Sequence, residues 1–194
     1  MKLKGIKIGF AVTGSHCTIR EVLNQVPVLI NNGADVYPIF SETADRYDTR
    51  FGQTSEWKGF LTKTTGHNII STIIDAEPIG PNKLFDIMAV APCTGNTLAK
   101  LVNGITDTPV LMSVKAQLRN QRPVVLAIST NDGLGMNAKN IGLLLNMKNI
   151  YMVPFGQDNP MIKANSLVAK MPLLTETVIH ALQGKQLQPV IIQY

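Results

Sequence analysis

The chain has 194 residues, of which 45% are hydrophobic and 16% charged, with a formal net charge of +5. That composition supplies the core of one domain and leaves little length for a second. The positive charge is spread thinly, without a basic run or a series of aromatic residues, which argues against a nucleic-acid groove and for an acidic small molecule as partner.

From the amino terminus, Ile6-Lys7-Ile8-Gly9-Phe10-Ala11-Val12 predicts a first strand over about 5–13. Gly9 and Gly14 interrupt its apolar run, so it does not read as a signal peptide. Ile19, Val22, Leu23, Val26, Leu29 and Ile30 recur at helical spacing despite Pro27, and Asn32-Gly33 ends that helix. A second strand is expected over 35–40, ending at Ser41. The polar stretch 42–66 is too long for a simple connection; a short helix around 55–63 and a lid over the sheet's ligand edge are expected there. A short strand is expected over 68–74 and a turn at Glu77-Pro78-Ile79-Gly80-Pro81. The apolar run 84–91 has no polar alternation, as a strand buried on both faces should. It breaks into Pro92-Cys93-Thr94-Gly95-Asn96-Thr97, where Thr94 or Asn96 caps the next helix. Asp107-Thr108-Pro109 opens another helix, followed by a strand over 123–129, a helix over 135–146, a strand over 150–154 and a helical tail over 165–182. Alternating strands and helices imply a single α/β domain over 1–194: a doubly wound, mainly parallel sheet in a Rossmann-like three-layer arrangement.

In such sheets ligands lie beyond the carboxyl ends of the strands, where helix N-termini offer free N–H groups. Two strand-to-helix corners, Thr13-Gly14-Ser15-His16 and Pro92–Thr97, therefore point to one composite site. Gly9 and Gly14 are spaced as in a P-loop, but Ser15-His16 replace the Lys and Ser/Thr that triphosphate hydrolysis needs, and the GxGxxG dinucleotide fingerprint is absent. A loop that holds one phosphate through Gly14, Ser15 and a hydroxyl from Ser41 remains. Cys17 and Cys93 form neither a disulfide framework nor a metal-ligand pair, no metal is expected, and no apolar run reaches membrane-spanning length. A reducing, cytoplasmic setting without membrane contact follows as the expectation.

Three segments carry a resemblance: Thr13-Gly14-Ser15; Ala91-Pro92-Cys93-Thr94-Gly95-Asn96-Thr97 with its continuation Ala99-Lys100-Leu101-Val102-Asn103-Gly104-Ile105-Thr106-Asp107; and Ser129-Thr130-Asn131. Together they resemble the flavin mononucleotide (FMN)-binding flavoproteins, the family of phosphopantothenoylcysteine decarboxylases, lantibiotic-cysteine decarboxylases and prenyl-flavin synthases. The resemblance implies FMN binding through Thr13, Gly14, Ser15, Ser41, Pro92, Thr94, Gly95, Asn96, Ser129 and Asn131. Decarboxylase relatives have a catalytic His shortly before the strand that begins near Asp86; 75–81 contains none, so decarboxylation is not expected. Further stretches, Gly14-Ser15-His16-Cys17-Thr18, Asp48-Thr49-Arg50-Phe51-Gly52, Leu118-Arg119-Asn120-Gln121-Arg122-Pro123 and Thr130-Asn131-Asp132-Gly133-Leu134-Gly135, are similar to a full-length branch of the family, the B subunits of bacterial dipicolinate synthases. That branch implies oxidation of a dihydro-pyridine dicarboxylate during sporulation, an A subunit that brings the nicotinamide cofactor NAD(P), and homo-oligomers.

Each candidate has two readings. His16 is an acid/base group in the first ligand loop or an inert loop histidine. Arg50 grips a substrate carboxylate from the lid or makes a surface ion pair. Asn96 bonds a flavin edge or caps a helix; Cys93 faces the ring or is a small buried hydrophobe. Two functions follow: a flavin-dependent oxidoreductase subunit, or a non-catalytic ligand-binding scaffold that completes the A subunit's site.

Overall fold

A computed structural model describes residues 1–193. Seven strands, β1 (Lys7–Val12), β2 (Asp35–Phe40), β3 (Ile87–Cys93), β4 (Val124–Thr130), β5 (Ile150–Met152), β6 (Phe155–Gly156) and β7 (Leu167–Ala169), form one sheet in the order β2-β1-β3-β4-β7-β6, with β5 also paired to β4. The β1–β5 pairings are parallel; β7 runs antiparallel to both β4 and β6. Every residue of β3 is buried, which explains its unbroken apolar sequence: both faces are covered. One face carries α1 (His16–Leu23), α2 (Gln25–Asn31) and α9 (Leu174–Leu182); the other carries α5 (Ile73–Ala76), α6 (Gly95–Val102), α7 (Pro109–Arg119) and α8 (Ala138–Leu145). This is the doubly wound α/β arrangement that the sequence pattern implies. Among the described residues no helix is long and apolar enough to cross a membrane.

Four details differ from the sequence expectations. The first helix is two, α1 and α2, broken at Asn24; Pro27 has no N–H to donate and is accommodated in the first turn of the second. The 68–74 strand reduces to one bridge, Ile39 to Ile70, because Thr72 accepts from the Asp75 N–H at 3.1 Å and starts α5. Within 165–182 only Leu174–Leu182 is α-helical; Leu167–Ala169 is a buried strand and Pro172 sits in a 3₁₀ turn. The 42–66 segment is mostly helical: α3 (Glu42–Arg46) and α4 (Thr54–Thr65) bury Ala44, Trp57 and Leu61, and α4 packs on α2 and β2. The mostly exposed loop 47–53 joins the two helices.

At the opposite end of the sheet from the β-strand carboxyl termini, Asp35 accepts from the Tyr37 hydroxyl at 2.9 Å and lies 2.7 Å from His67 Nε2; the Tyr37 and His67 rings stack at 3.9 Å. Burial opposes the Asp35 charge, but the hydrogen bonds from His67 and Tyr37 outweigh it and hold the carboxyl below its usual range. A depressed carboxylate pKa contributes stability above the unfolded value, about 3.9, that disappears as pH falls through the folded value. The Asp35 side chain is 43% exposed, so the contribution is screened to about 0.5–1 kcal/mol. Wild type should therefore melt above Asp35→Asn at pH 6, and the gap should narrow as pH falls below about 3.9; a gap that does not change with pH would refute this linkage.

Candidate functional site

Because β1 to β4 are parallel, their carboxyl ends lie side by side. The chain leaves β1 toward β2 on one side and reaches β3 and β4 on the other, so the crevice opens between β1 and β3, the switch point of the sheet. Thr13, directly after β1, joins the two corners. It is 1% exposed; its hydroxyl donates to the Pro92 carbonyl at 2.6 Å and accepts from the Thr94 N–H at 3.1 Å. Thr94 then caps α6, its Oγ1 accepting from the Thr97 N–H at 3.2 Å. As the first two residues of α6, Gly95 and Asn96 have N–H groups with no partner inside the helix.

Two clefts flank this ridge and share Gly14 and Thr94. The first, about 290 Å³, is lined by Thr13, Ser41, Thr43, Asn96, Thr97 and Lys100, among others. Ser41 caps α3, accepting from the Ala44 N–H at 3.3 Å, and the α3 and α6 N-termini open onto this cleft beside several hydroxyls. Gly14 is needed here: a Cβ would lie 2.7 Å from Thr43 Cγ2. The second cleft, about 490 Å³, is lined by Ser15, Cys17, Thr18, Gly95, Ser129, Thr130, Asn131, Asp158 and Lys163, among others. Ser15 Oγ and Ser129 Oγ are 2.7 Å apart. The Thr18 hydroxyl, which donates to the Ser15 carbonyl at 3.0 Å, lies 3.1 Å from Ser129 Oγ. Behind Gly95, Asn137 Nδ2 donates to both Asp132 oxygens at 3.0 and 2.8 Å, and the Thr130 hydroxyl donates to the same carboxylate.

The structure thus brings Gly14, Ser15, Ser41, Thr94, Gly95, Asn96, Ser129 and Asn131 to the clefts. Thr13 lines the first cleft and connects the two corners, and Pro92 is buried with its carbonyl bonded to Thr13. Cys93 is fully buried, and burial pushes its thiol pKa far up. His16 and Arg50 are placed differently. His16 stacks on Trp57, with ring centroids 5.7 Å apart, and lines neither cleft. Burial holds its pKa below the ordinary value, and its buried Nδ1 has no partner among the described residues. Arg50 lies on the exposed 47–53 loop with its guanidinium 4.9 Å from the Phe51 ring centroid, and it too is absent from both linings.

Sequence reasoning missed Thr18, Thr97, Thr108, Asp158 and Lys163. Thr18 was recoverable, since it lies one helical turn past Ser15. Asp158 and Lys163 gave no signal, because the 157–166 segment reaches the site only through the antiparallel β6–β7 pairing.

Comparison with known proteins gives the family and the fold. Residues 1–185 match the model of the Flavoprotein family. The B subunit of dipicolinate synthase from Bacillus subtilis (strain 168) is 50% identical over 191 residues, covering 98% of this chain and 96% of that protein. The crystal structure of the dipicolinate synthase B subunit from Bacillus halodurans superposes with a TM-score of 0.92 at 50% identity, covering 100% of this chain and 99% of the other. The FMN-dependent cysteine decarboxylase SpaF shares the fold, with a TM-score of 0.65 at 17% identity over 92% of this chain and 96% of its own. With a match that runs through both strand-to-helix corners and the clefts between them, the chain belongs to the Flavoprotein family, and within it resembles the B subunits of dipicolinate synthase.

Proposed function

We propose that this chain acts as the second subunit of a two-subunit dipicolinate synthase that oxidises dihydrodipicolinate to dipicolinate during sporulation. Its partner is an A subunit that brings NAD(P), and it assembles with further copies of itself. The 50% identity to a dipicolinate synthase B subunit over nearly the whole chain carries the reading.

FMN fits the residues present. A monophosphate suits the first cleft, where Gly14, Ser41, Thr43 and the α6 N-terminus supply N–H and hydroxyl donors to an anion, and where Lys100, paired with Asp107, offsets the carboxylate of Glu42. A Cβ at Gly14 would crowd the Thr43 side chain that lines this cleft, and its absence leaves the backbone N–H open to a ligand. The ring system would cross the ridge at Thr94, Gly95 and Asn96 toward Ser15, Ser129 and Asn131. When bound, the flavin would supply a hydride acceptor for an oxidation that takes a hydride and a proton from the dihydro ring; this chain's own residues, Ser15, Ser129 and Asn131, would orient the ring system.

Titration with FMN should give saturable quenching of flavin fluorescence, weakened in Ser15→Ala and Asn96→Ala; no binding up to millimolar flavin would remove the cofactor from the reading. Dipicolinate formation measured with the A subunit alone, this chain alone and both together tests the function itself. Both together should far exceed either one, and full activity from the A subunit alone would reject the proposal.

A second reading, a binding subunit without catalytic groups of its own, is favoured by one observation: His16, the acid/base candidate, lines neither cleft. FMN binding together with turnover that depends wholly on A-subunit residues would select it.

A further inference from the structure

The second cleft has one cation and one carboxylate among its lining side chains, Lys163 and Asp158, and they do not depend on each other equally. Asp158 Oδ1 accepts from the Ser166 hydroxyl at 2.6 Å, and Ser166 is fully buried. The Lys163 ammonium reaches Asp158 Oδ2 at 3.3 Å. The Asp158 side chain is 21% exposed and that of Lys163 46%. Burial opposes the Asp158 charge, but the Ser166 and Lys163 hydrogen bonds hold its pKa below the usual carboxylate range. The carboxylate is therefore anchored from behind, while the ammonium sits on a long, flexible stem at the cleft's mouth with donors to spare.

We propose that Lys163 anchors a substrate carboxylate: it swings from Asp158 to one carboxylate of a pyridine-type dicarboxylate seated in the second cleft against Thr18 and Val168. This deepens the function proposed above and rests on its substrate class. No bond is made or broken; the step exchanges one ion-pair partner for another, and Asp158 keeps Ser166. Other cations are weaker candidates. Lys100, the cation of the first cleft, is held by Asp107 at 2.6 Å and faces the hydroxyl-rich end suited to phosphate. Arg50 stands outside both clefts. A lysine suits this task because its three donors rotate as a point charge and can exchange partners.

The test uses the full chain in metal-free buffer, with pyridine-2,6-dicarboxylate and FMN as separate calorimetric titrants, on wild type, Lys163→Gln and Lys163→Arg. Wild type should bind the dicarboxylate and Lys163→Gln should bind it roughly tenfold more weakly, the effect of one lost charge-assisted contact. Lys163→Arg should recover part of that loss, and FMN affinity should be equal in all three. In the two-subunit enzyme Lys163→Gln should raise KM and leave kcat near wild type. Equal dicarboxylate affinity in wild type and Lys163→Gln overturns the proposal. So does a loss confined to FMN, which would assign the lysine to the cofactor phosphate. Absence of dicarboxylate binding to wild type also overturns it, and the FMN titration then reads the cofactor proposal independently. An unchanged melting curve confirms that Lys163→Gln folds.

Discussion

Thr13→Val should be the most damaging conservative substitution at the site. Valine matches threonine in shape but leaves the Pro92 carbonyl and the Thr94 N–H without the partner that holds them at 2.6 and 3.1 Å. Position 13 is 1% exposed, so water does not easily replace the hydroxyl. A buried polar group stripped of its partner costs about 1–3 kcal/mol, and two are stripped here, for about 2–6 kcal/mol together. In a chain of this size each kcal/mol lowers the melting temperature by about 2–4 °C. FMN affinity should fall as well, because the Thr94 cap and the α6 N-terminus are set by the same hydroxyl. Thr13→Ser, which keeps it, should recover most of both losses. Chemical denaturation and flavin titration of the three proteins decide the matter; a loss in Thr13→Val below about 0.5 kcal/mol, the size of an ordinary surface substitution, would mean the corners are held by other contacts.

Gly95→Ala should come second and act by crowding. A Cβ at this position would lie 2.6 Å from both Asn137 Nδ2 and Thr130 Oγ1 and 2.8 Å from Asp132 Oδ1. These are not loose ends of side chains that can swing aside. Asn137 bonds both Asp132 oxygens and receives Asn140 Nδ2 at 2.8 Å, and Thr130 is bonded to the same carboxylate. The methyl group must therefore displace a satisfied network or push α6 off the end of β4, at about 1–3 kcal/mol. Either shift moves the ridge between the clefts, and FMN affinity should drop by about tenfold or more, the equivalent of 1.4 kcal/mol. Gly142→Ala is the internal contrast: nothing lies within 4 Å of its added Cβ, it falls inside α8, and it should be neutral or stabilise by up to about 1 kcal/mol. Equal behaviour of the two alanine variants would exclude crowding at position 95.

The parallel half of the fold was legible because its signals are local. β3 reads as an unbroken apolar run because both faces are buried, and Thr94 and Thr108 announce their helices by capping chemistry that needs only residues one turn ahead. The antiparallel addition was not legible. Leu167-Val168-Ala169 is three residues long, too short for period 2 and period 3.6 to be told apart, and its strand character comes from pairing with Ser129 and Thr130 far earlier in the chain. The same limit applies to the site. Gly14, Ser15, Ser41, Thr94, Asn96 and Ser129 follow strand ends that the sequence marks, and they reach the clefts. His16 and Arg50 stand out in the sequence by side-chain chemistry alone, but whether a side chain turns toward a cleft depends on neighbours such as Trp57 and Phe51 that no local pattern specifies. Lys163 illustrates the converse, a functional candidate without any local motif.

The hydroxyl pair between Ser15 and Ser129 closes across 114 residues and the Thr13–Pro92 bond across 79. Neither loop can close before β1, β3 and β4 have docked side by side, and contacts of such long sequence separation form late and slowly. The ability to take up flavin should therefore arise only at the end of folding, after most helical circular dichroism has returned. Cofactor capture then doubles as a checkpoint: it withdraws the completed sheet from the folding equilibrium, adding stability that grows with the logarithm of free ligand concentration.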